Sequence, residues 1–435
     1  MENKVISEYG YIYYIKPEKL NNKYIHTNVS EKEFNELYRY WINDKEAKKI
    51  FEFDGYSLKA TNYVGVVQTE NLSIEILPKI YSDNNNEAKT RTIFIEMLKP
   101  LLNINDIQIN KANLSTTTNK NIYEMFITMF IEYLDKLIHR GLKSHYVSKE
   151  DNQNFLKGKL KFNQHIKHNH IHKERFYVEY DEYLEDRAEN RLLKSTIELL
   201  LKKTNNDYNK RLLRQQLFVF NEIRYSSNYD IDIQKINIYR GMEYYEVPLR
   251  FAKLFLKHQS FTSLRGDDNV FALFFPMEKV FEDYIEFILN NFKDNLGIDE
   301  VLVNGGKDEY FITNEKCKMT RLQPDYLLTM KDGRSIVTDA KWKLLEQNKD
   351  EYSNCNTINI PSGDIYQIFS YLNFYTAQDI AYIFVPKTKE IENPITLSYN
   401  VSSTISSNYK IIIKPVDLSK IIMNNYNLTN LISKL

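Results

Sequence analysis

The apolar residues of this chain change their spacing along the sequence, and these changes limit the folds that its parts can adopt. Short alternating runs, such as Tyr63 to Val67 and Ser73 to Leu77, are typical of strands and dominate the first 110 or so residues. From Ile122 to Leu137 the apolar residues recur at helical spacing instead. Alternation returns from Tyr326 onwards. The chain is therefore expected to be a multidomain α+β protein.

The same changes predict three domains. Residues 1–115 are expected to form a β-rich N-terminal domain, in which Ser30 and Glu33 have the spacing of a capping box and predict a helix. Residues 120–260 are expected to form a mainly helical middle domain with an irregular, basic entry. Residues 265–435 are expected to form an α/β domain.

Within the last of these domains the elements follow one another in a defined order. Met277 to Leu289 has one apolar helical face, and the dipeptide Asp332-Gly333 between two alternating runs predicts a hairpin. A helix from Asp364 to Tyr375 and a strand from Ile380 to Val385 follow. The predicted order is helix, strand, strand, helix, strand.

Composition excludes several classes of protein. The 58 basic and 58 acidic residues cancel, so there is no overall basic field and any DNA contact must come from local patches. Cys317 and Cys355 are too few for a disulfide framework and have no zinc-ligand spacing. The N-terminus has no apolar signal region, and no run of 18 apolar residues occurs. A cytoplasmic protein without membrane spans is expected.

Three polar residues of the predicted hairpin carry the chemistry. Asp325 precedes its first strand, and Asp339 and Lys341, two positions apart in the second, point to the same side. Carboxylates that hold Mg²⁺, or Mn²⁺ in its place, suit phosphodiester hydrolysis. We expect Asp325 and Asp339 to bind the metal, with the Ala340 carbonyl as a further ligand, and Lys341 to position the attacking water or stabilise developing charge.

Two neighbouring helices are expected to complete this site. A third carboxylate should come from the preceding helix, where Glu282 is the first choice and Glu278, one turn earlier, the alternative. Gln367 and Tyr371 lie four apart on the following helix, where they could hydrogen-bond the water or a phosphate. Asp-x-Lys alone equally describes a solvated strand face with an ion pair. The order of the surrounding elements favours the catalytic interpretation.

A basic run enters the middle domain. It contains four of the eight histidines, whose spacing fits no usual zinc site, and cations that could neutralise phosphates. A solvated or partner-binding loop is an equally good interpretation. The cations taken as candidate DNA contacts, together with Tyr371, are Lys157, Lys159, Lys161, Lys167 and Arg175.

Several segments in order resemble signatures of the McrC family, within the PD-(D/E)XK nuclease superfamily. The resemblance spans about residues 60 to 385, and one departure concerns Glu278, where the family often has Asn or a similar residue. The segments are Ile74 to Ile80, Leu156 to Leu160, Phe176 to Asp181, Asn190 to Lys194, Phe275 to Glu282, Leu322 to Tyr326, Asp339 to Trp342 and Asp364 to Ile368.

This resemblance implies a Mg²⁺-dependent endonuclease subunit of a modification-dependent restriction system. Its implied partners are McrB, a hexameric AAA+ GTPase, and double-stranded DNA with modified cytosine. It also implies that residues 1 to about 115 insert into the ring and stimulate GTP hydrolysis. The chain has no phosphate-binding loop of its own, because its Gly-Gly-Lys at Gly305 to Lys307 lacks the first glycine and is followed by Asp308.

Two alternatives stay open at this point. One is a catalytically inactive adaptor that activates an AAA+ ring, against which the intact Asp325, Asp339 and Lys341 argue. The other is a nuclease paired with a different NTPase in another defence or repair system.

Overall fold

Residues from both ends of the chain pack into one compact unit, and the middle of the chain forms another. The outer unit contains residues 1–119 and 274–435, and the middle unit contains residues 120–273. The computed structural model describes residues 3–17, 20–80, 86–102, 121–262, 270–306, 310–313, 318–349, 356–375, 380–398 and 409–419. Cys317 and Cys355 lie outside these ranges. Both ends of the chain thus belong to one unit. The division into three domains stays a prediction.

The N-terminal part of the outer unit contains two small sheets. One has the order β3-β2-β5-β4, and in the other β1 pairs in parallel with β7, which pairs antiparallel with β6. Their elements are β1 (Asn3–Ser7), β2 (Tyr11–Tyr13), β3 (Thr27–Asn28), α1 (Glu31–Asn43), α2 (Ala47–Ile50), β4 (Phe51–Phe53), β5 (Ser57–Ala60), β6 (Tyr63–Gln68), β7 (Ser73–Leu77) and α3 (Glu87–Leu101).

One helix of this part, α1, was predicted from the sequence, and another, α3, was not. The predicted capping box of α1 is confirmed, since the Ser30 hydroxyl accepts from the Glu33 amide and the Glu33 carboxylate accepts from the Ser30 amide. Helix α3 was not predicted. Its buried residues include the consecutive Ile93, Phe94 and Ile95, so burial around the helix removes the amphipathic period by which helices are recognised.

The middle unit consists of helices and a polar antiparallel sheet of order β8-β10-β9. The predicted helices are confirmed, but the prediction of an irregular entry is wrong. Strands β8 and β10 are charged and largely solvent-exposed, so they lack the alternation of a half-buried strand. The elements are α4 (Ile122–Arg140), β8 (His145–Gln153), β9 (Lys159–Leu160), α5 (Phe162–Asn169), β10 (Phe176–Leu184), α6 (Ala188–Lys203), α7 (Asp207–Val219), α8 (Tyr229–Gln234) and α9 (Glu246–Thr262).

The C-terminal part of the outer unit is built on a mixed sheet of order β12-β15-β16-β19-β21-β20. Its elements are β11 (Phe271–Pro276), which joins the edge of β6, α10 (Met277–Asn291), α11 (Lys293–Leu296), β12 (Ile298–Val303), β13 (Tyr310–Thr313), β14 (Lys318–Arg321), β15 (Tyr326–Met330), β16 (Ser335–Ala340), β17 (Gln347–Lys349), β18 (Asn356–Ile358), α12 (Ser362–Phe374), β19 (Ile380–Pro386), β20 (Ile395–Ser398) and β21 (Lys410–Val416).

The predicted hairpin lies at the centre of this sheet. Strands β15 and β16 pair antiparallel, and Gly333, with φ of 84°, supplies the left-handed residue of their turn. Strand β16 also pairs in parallel with β19. Helix α12 packs through the buried Ile368 and Leu372 against the sheet residue Val337. The polar end of the hairpin is thereby fixed between two helices and a neighbouring strand.

No helix in the described part of the chain combines the length and apolar character needed to span a bilayer.

Candidate active site

Strand register brings the predicted acidic residues together. Tyr326 pairs with Thr338 across the hairpin, so Asp325, one position earlier, lies beside Asp339. The Ala340 amide donates to Asp325 Oδ2 at 2.7 Å. The Lys341 ammonium lies 2.6 Å from Asp339 Oδ2. Two carboxylates and one cation therefore converge at the open end of the hairpin.

The surroundings of Asp325 oppose its negative charge. Burial raises the pKa of Asp325 to about 8, and the nearby carboxylates of Asp339 and Glu282 act in the same direction. The amide of Ala340 and the charge of Lys341 counteract only part of this increase. A cation bound between the carboxylates would remove the repulsion and favour the ionised form of Asp325.

Asp339 is the most buried carboxylate of the site. It is only 1% exposed, and the Lys341 ammonium, 2.6 Å from its Oδ2, is the one donor that the described residues offer it, so Oδ1 has none. Buried carboxylate oxygens normally have hydrogen-bond donors, because leaving them without donors is costly. Unfilled acceptor positions beside a second carboxylate fit a hard divalent cation such as Mg²⁺.

The two candidate helix carboxylates lie in different surroundings. The charge of Glu282 contributes to the raised pKa of Asp325, while burial and the charge of Asp339 contribute to the raised pKa of Glu282. Glu278 instead acts on the buried Glu8 and the partly buried Lys79. Glu282 is thus the nearer of the two to the aspartates. Within the described ranges, however, no group of three His, Cys, Asp or Glu side chains is close enough to hold a metal ion.

A hydrogen-bond chain links Lys341 to helix α12. The Lys341 ammonium donates to Gln367 Oε1 at 3.3 Å, and Gln367 Nε2 donates to the Tyr371 hydroxyl at 2.7 Å. The Tyr371 hydroxyl donates in turn to the Gln323 carbonyl at 2.9 Å. Tyr371 is 3% exposed. Its contact with DNA stays a prediction, which the buried ring and the hydrogen bonds of its hydroxyl within the site do not support.

Residues that the sequence did not mark also contact the site. Trp342, which follows Lys341, donates its indole N–H to both Glu8 carboxylate oxygens, at 3.0 and 3.1 Å. These two residues are 334 positions apart. No local pattern could have joined them, although Trp342 does fall in one of the segments that resemble the family.

The basic run of the middle unit is only partly available to a ligand. Lys161 forms ion pairs with Glu150 at 2.9 Å and Glu179 at 2.8 Å, so its predicted role as a phosphate contact is not supported. The Lys157 ammonium lies 4.2 Å from the centre of the Tyr180 ring. Of the candidate DNA-contacting cations, Lys159, Lys167 and Arg175 are exposed and form neither an ion pair nor a cation–π contact with the described residues.

Comparisons with known proteins agree on one family. A sequence profile described as McrBC 5-methylcytosine restriction system component matches residues 58–385. No curated protein matches the chain.

Two solved structures from Thermococcus gammatolerans have a similar fold. A chain in the refined half-complex of the tetradecameric assembly of McrB AAA+ hexamers with bound McrC aligns with a TM-score of 0.71 and 21% identity, covering 99% of this chain and 98% of that one. A chain in the cryo-EM structure of the McrBC complex aligns with a TM-score of 0.50 and 21% identity, covering 69% of this chain and 89% of that one.

Proposed function

The chain belongs to the McrBC 5-methylcytosine restriction system component family, and we propose that it is a Mg²⁺-dependent DNA endonuclease subunit of such a system. The observation that carries the proposal is the pair of neighbouring carboxylates, Asp325 and Asp339, of which the second has only the Lys341 ammonium as a donor among the described residues. The order α10, β15, β16, α12, β19 around this pair supports a PD-(D/E)XK fold.

The proposed mechanism assigns a task to each residue of the site. Asp325 and Asp339 would hold Mg²⁺, or Mn²⁺, with the Ala340 carbonyl as an additional ligand. That Glu282 is a further ligand stays a prediction, because the three carboxylates do not lie close enough together in this structure to hold one ion. The cation would supply Lewis-acid stabilisation of the charge that develops on the phosphate during hydrolysis.

Lys341 orients the attacking water or donates to a phosphate oxygen. The Asp339 charge leaves the pKa of Lys341 above its ordinary value although burial lowers it, so the ammonium stays protonated at neutral pH. Gln367, which hydrogen-bonds both Lys341 and Tyr371, fixes the direction of that ammonium.

The proposed partner is a McrB-like hexameric AAA+ GTPase. The similar Thermococcus chain is found with McrB AAA+ hexamers, and this chain contains no phosphate-binding loop with which to drive translocation itself. We propose that the chain stimulates GTP hydrolysis by the ring and cuts DNA only within the assembly. That residues 1 to about 115 provide the stimulating contact stays a prediction.

The proposed substrate is double-stranded DNA with modified cytosine, in keeping with the family's name. Exposed cations of the middle unit, Lys159, Lys167 and Arg175, would contact the phosphate backbone. Such contacts hold DNA without reading its sequence.

The test is cleavage of methylated and unmodified plasmid by the chain together with its AAA+ partner, Mg²⁺ and GTP. Asp339→Ala and Lys341→Ala should abolish cutting of methylated plasmid while GTP hydrolysis is still stimulated. The matched control is Lys331→Ala at the opposite end of the hairpin, where Lys331 pairs with Asp294 at 2.7 Å. The proposal fails if both site variants cut as well as the wild type, or if the chain alone cuts efficiently with Mg²⁺.

A further inference from the structure

The N-terminal sheet contacts the strand end that carries Lys341. Glu8 follows β1, is fully buried, and accepts hydrogen bonds from the Trp342 indole and from the Lys79 amide, the latter at 2.9 Å. The Glu8 amide donates to the Leu77 carbonyl at 2.9 Å, which ties it to β7. The carboxylate is thus fixed to the sheet on one side and to Trp342 on the other.

Lys79 holds the main chain of the same tryptophan. Its ammonium donates to the Trp342 carbonyl at 3.1 Å and lies 4.9 Å from the centre of the Tyr9 ring. Tyr9 itself has φ of 63°, a left-handed conformation that a bulky residue rarely adopts. Side chain and carbonyl of Trp342 are therefore both held by residues from the first 79 positions of the chain.

Trp342 also contacts the helix of the site. The Phe281 ring lies 5.4 Å from the Trp342 ring, between centres, and Phe281 immediately precedes Glu282. Trp342 is 3% exposed. It therefore joins the N-terminal sheet to both α10 and the end of β16.

Lys341 lies between two fixed points. Its amide donates to the Phe384 carbonyl of β19 at 2.8 Å, and the next residue is the anchored Trp342. Beyond it the chain leaves the sheet, since β16 ends at Ala340. Without the Trp342 anchor, the Lys341 backbone would be held by the hydrogen bond to β19 and by the local one that its carbonyl accepts from the Lys343 amide at 2.9 Å. A displacement of about 1 Å at such a position can lower a reaction rate about 100-fold.

A buried charge is a poor device for stability alone, because its desolvation is costly. Burial raises the pKa of the fully buried Glu8 and lowers the pKa of the partly buried Lys79, so this environment disfavours the charged form of each. We propose that Glu8 and Lys79 are positioning residues that fix Lys341 in the cleavage site through Trp342. This inference rests on the proposed nuclease function.

The first test measures cleavage by the complete assembly with Glu8→Gln and, separately, Trp342→Phe. Each should lower kcat by about 10- to 100-fold, the range found for groups that orient a site's ligands. Half-saturating DNA concentration and GTPase stimulation should be unchanged. The double variant should be no slower than the slower single variant, because both changes break the same hydrogen bond.

The matched control is Glu75→Gln, which alters an equally buried carboxylate on β7 that contacts Arg91 rather than Trp342. It should cut at the wild-type rate per folded molecule. A wild-type kcat in Glu8→Gln, or an equal loss in Glu75→Gln, overturns the inference.

Amide hydrogen exchange of the isolated full chain gives a second readout that needs no cleavage. Glu8→Gln and Trp342→Phe should each speed exchange at Lys341 and Lys343, whose amides bond the Phe384 and Lys341 carbonyls, more than in α12. Unchanged exchange there overturns the inference even if the wild type cuts. Faster exchange supports the positioning role even if the wild type does not cut, in which case only the proposed function fails.

Discussion

Two buried carboxylates of the outer unit lie in strands, and their surroundings are opposite. Glu75, in β7, is fully buried and receives the Arg91 guanidinium through Nε at 2.9 Å and Nη2 at 2.7 Å. Asp339, in β16, is almost as inaccessible, yet its charged neighbours are one cation, the Lys341 ammonium, and the carboxylates of the site, of which Asp325 is the nearest in the sheet. The protein satisfies both oxygens of the first carboxylate, whereas Oδ1 of the second has no donor among the described residues.

This difference indicates which of the two carboxylates has a structural role. A bidentate arginine satisfies a carboxylate and makes a geometrically specific contact between two elements. An unsatisfied carboxylate beside another destabilises the fold, a feature typical of sites that are completed by a ligand or used in catalysis. The comparison predicts that stability and activity should separate when the two residues are changed.

The largest expected effect is on catalysis. Asp339→Asn should lower cleavage by the assembly by about two to three orders of magnitude, the loss typical of removing one electrostatic contact to a transition state. The same variant should lose less stability than Glu75→Gln, because removal of the repulsion with Asp325 offsets the loss of the ion pair with Lys341. Differential scanning fluorimetry beside the plasmid assay checks both parts. A larger drop in melting temperature in Asp339→Asn than in Glu75→Gln would contradict the comparison.

The next effect is on stability. Glu75→Gln should destabilise the outer unit by about 3 kcal/mol, near the lower end of the range for breaking a buried ion pair, because Glu87 still pairs with Arg91 at 2.8 Å. Urea unfolding followed by fluorescence measures the change. The exposed pair of Lys331 and Asp294 serves as control, and Lys331→Ala should cost less than about 1 kcal/mol. Equal losses in the two variants would contradict the assignment.

A pH effect should follow from Asp325. The pKa of Asp325 in the fold is about 8, above the ordinary value of 3.8. Protonation of this group therefore stabilises the metal-free fold, and the contribution is complete at a pH below 3.8. That contribution is lost as the pH rises through about 8. Mg²⁺ competes with the proton, so its apparent affinity should rise by about tenfold per pH unit up to that point.

Thermal melts with EDTA or Mg²⁺ between pH 6 and 9 test this expectation. The stabilisation by Mg²⁺ should grow with pH in the wild type and should be lost or independent of pH in Asp325→Asn. A constant Mg²⁺ effect in the wild type would show that Asp325 does not bind the metal.

The smallest expected effect is on DNA binding, and it compares two cations of the middle unit, one of which is paired with acidic residues. Lys161 is paired with two glutamates, whereas Lys167 is exposed and has no ion pair among the described residues. If the unit contacts DNA, Lys167→Ala should reduce the slope of log affinity against log salt by about 1. Lys161→Ala should change the slope less. Fluorescence anisotropy with a DNA duplex measures both, and equal slopes would remove Lys167 from the interface.

Local patterns were enough to predict most elements around the site. The hairpin at Asp332-Gly333 and the apolar face from Met277 to Leu289 place α10, β15 and β16 within a few residues of their bounds. The convergence of Asp339 and Lys341 follows from the alternation of a strand. The roles of these residues stay predictions until tested.

Other features depend on contacts that no local pattern contains. Strands β8 and β10 are held by pairing with each other rather than by an apolar face. The contact between Glu8 and Trp342 joins positions 334 residues apart. Tyr371 could be placed on the same helix face as Gln367, but its burial depended on how α12 packs against the sheet.

The most direct test of the account is calorimetric titration of Mg²⁺ or Mn²⁺ into the full chain at pH 8. We expect saturable binding by the wild type and by Glu75→Gln, and none at the same concentrations by Asp339→Asn. Binding of equal affinity by Asp339→Asn and the wild type would show that the unsatisfied carboxylate is not a metal ligand and would contradict the account.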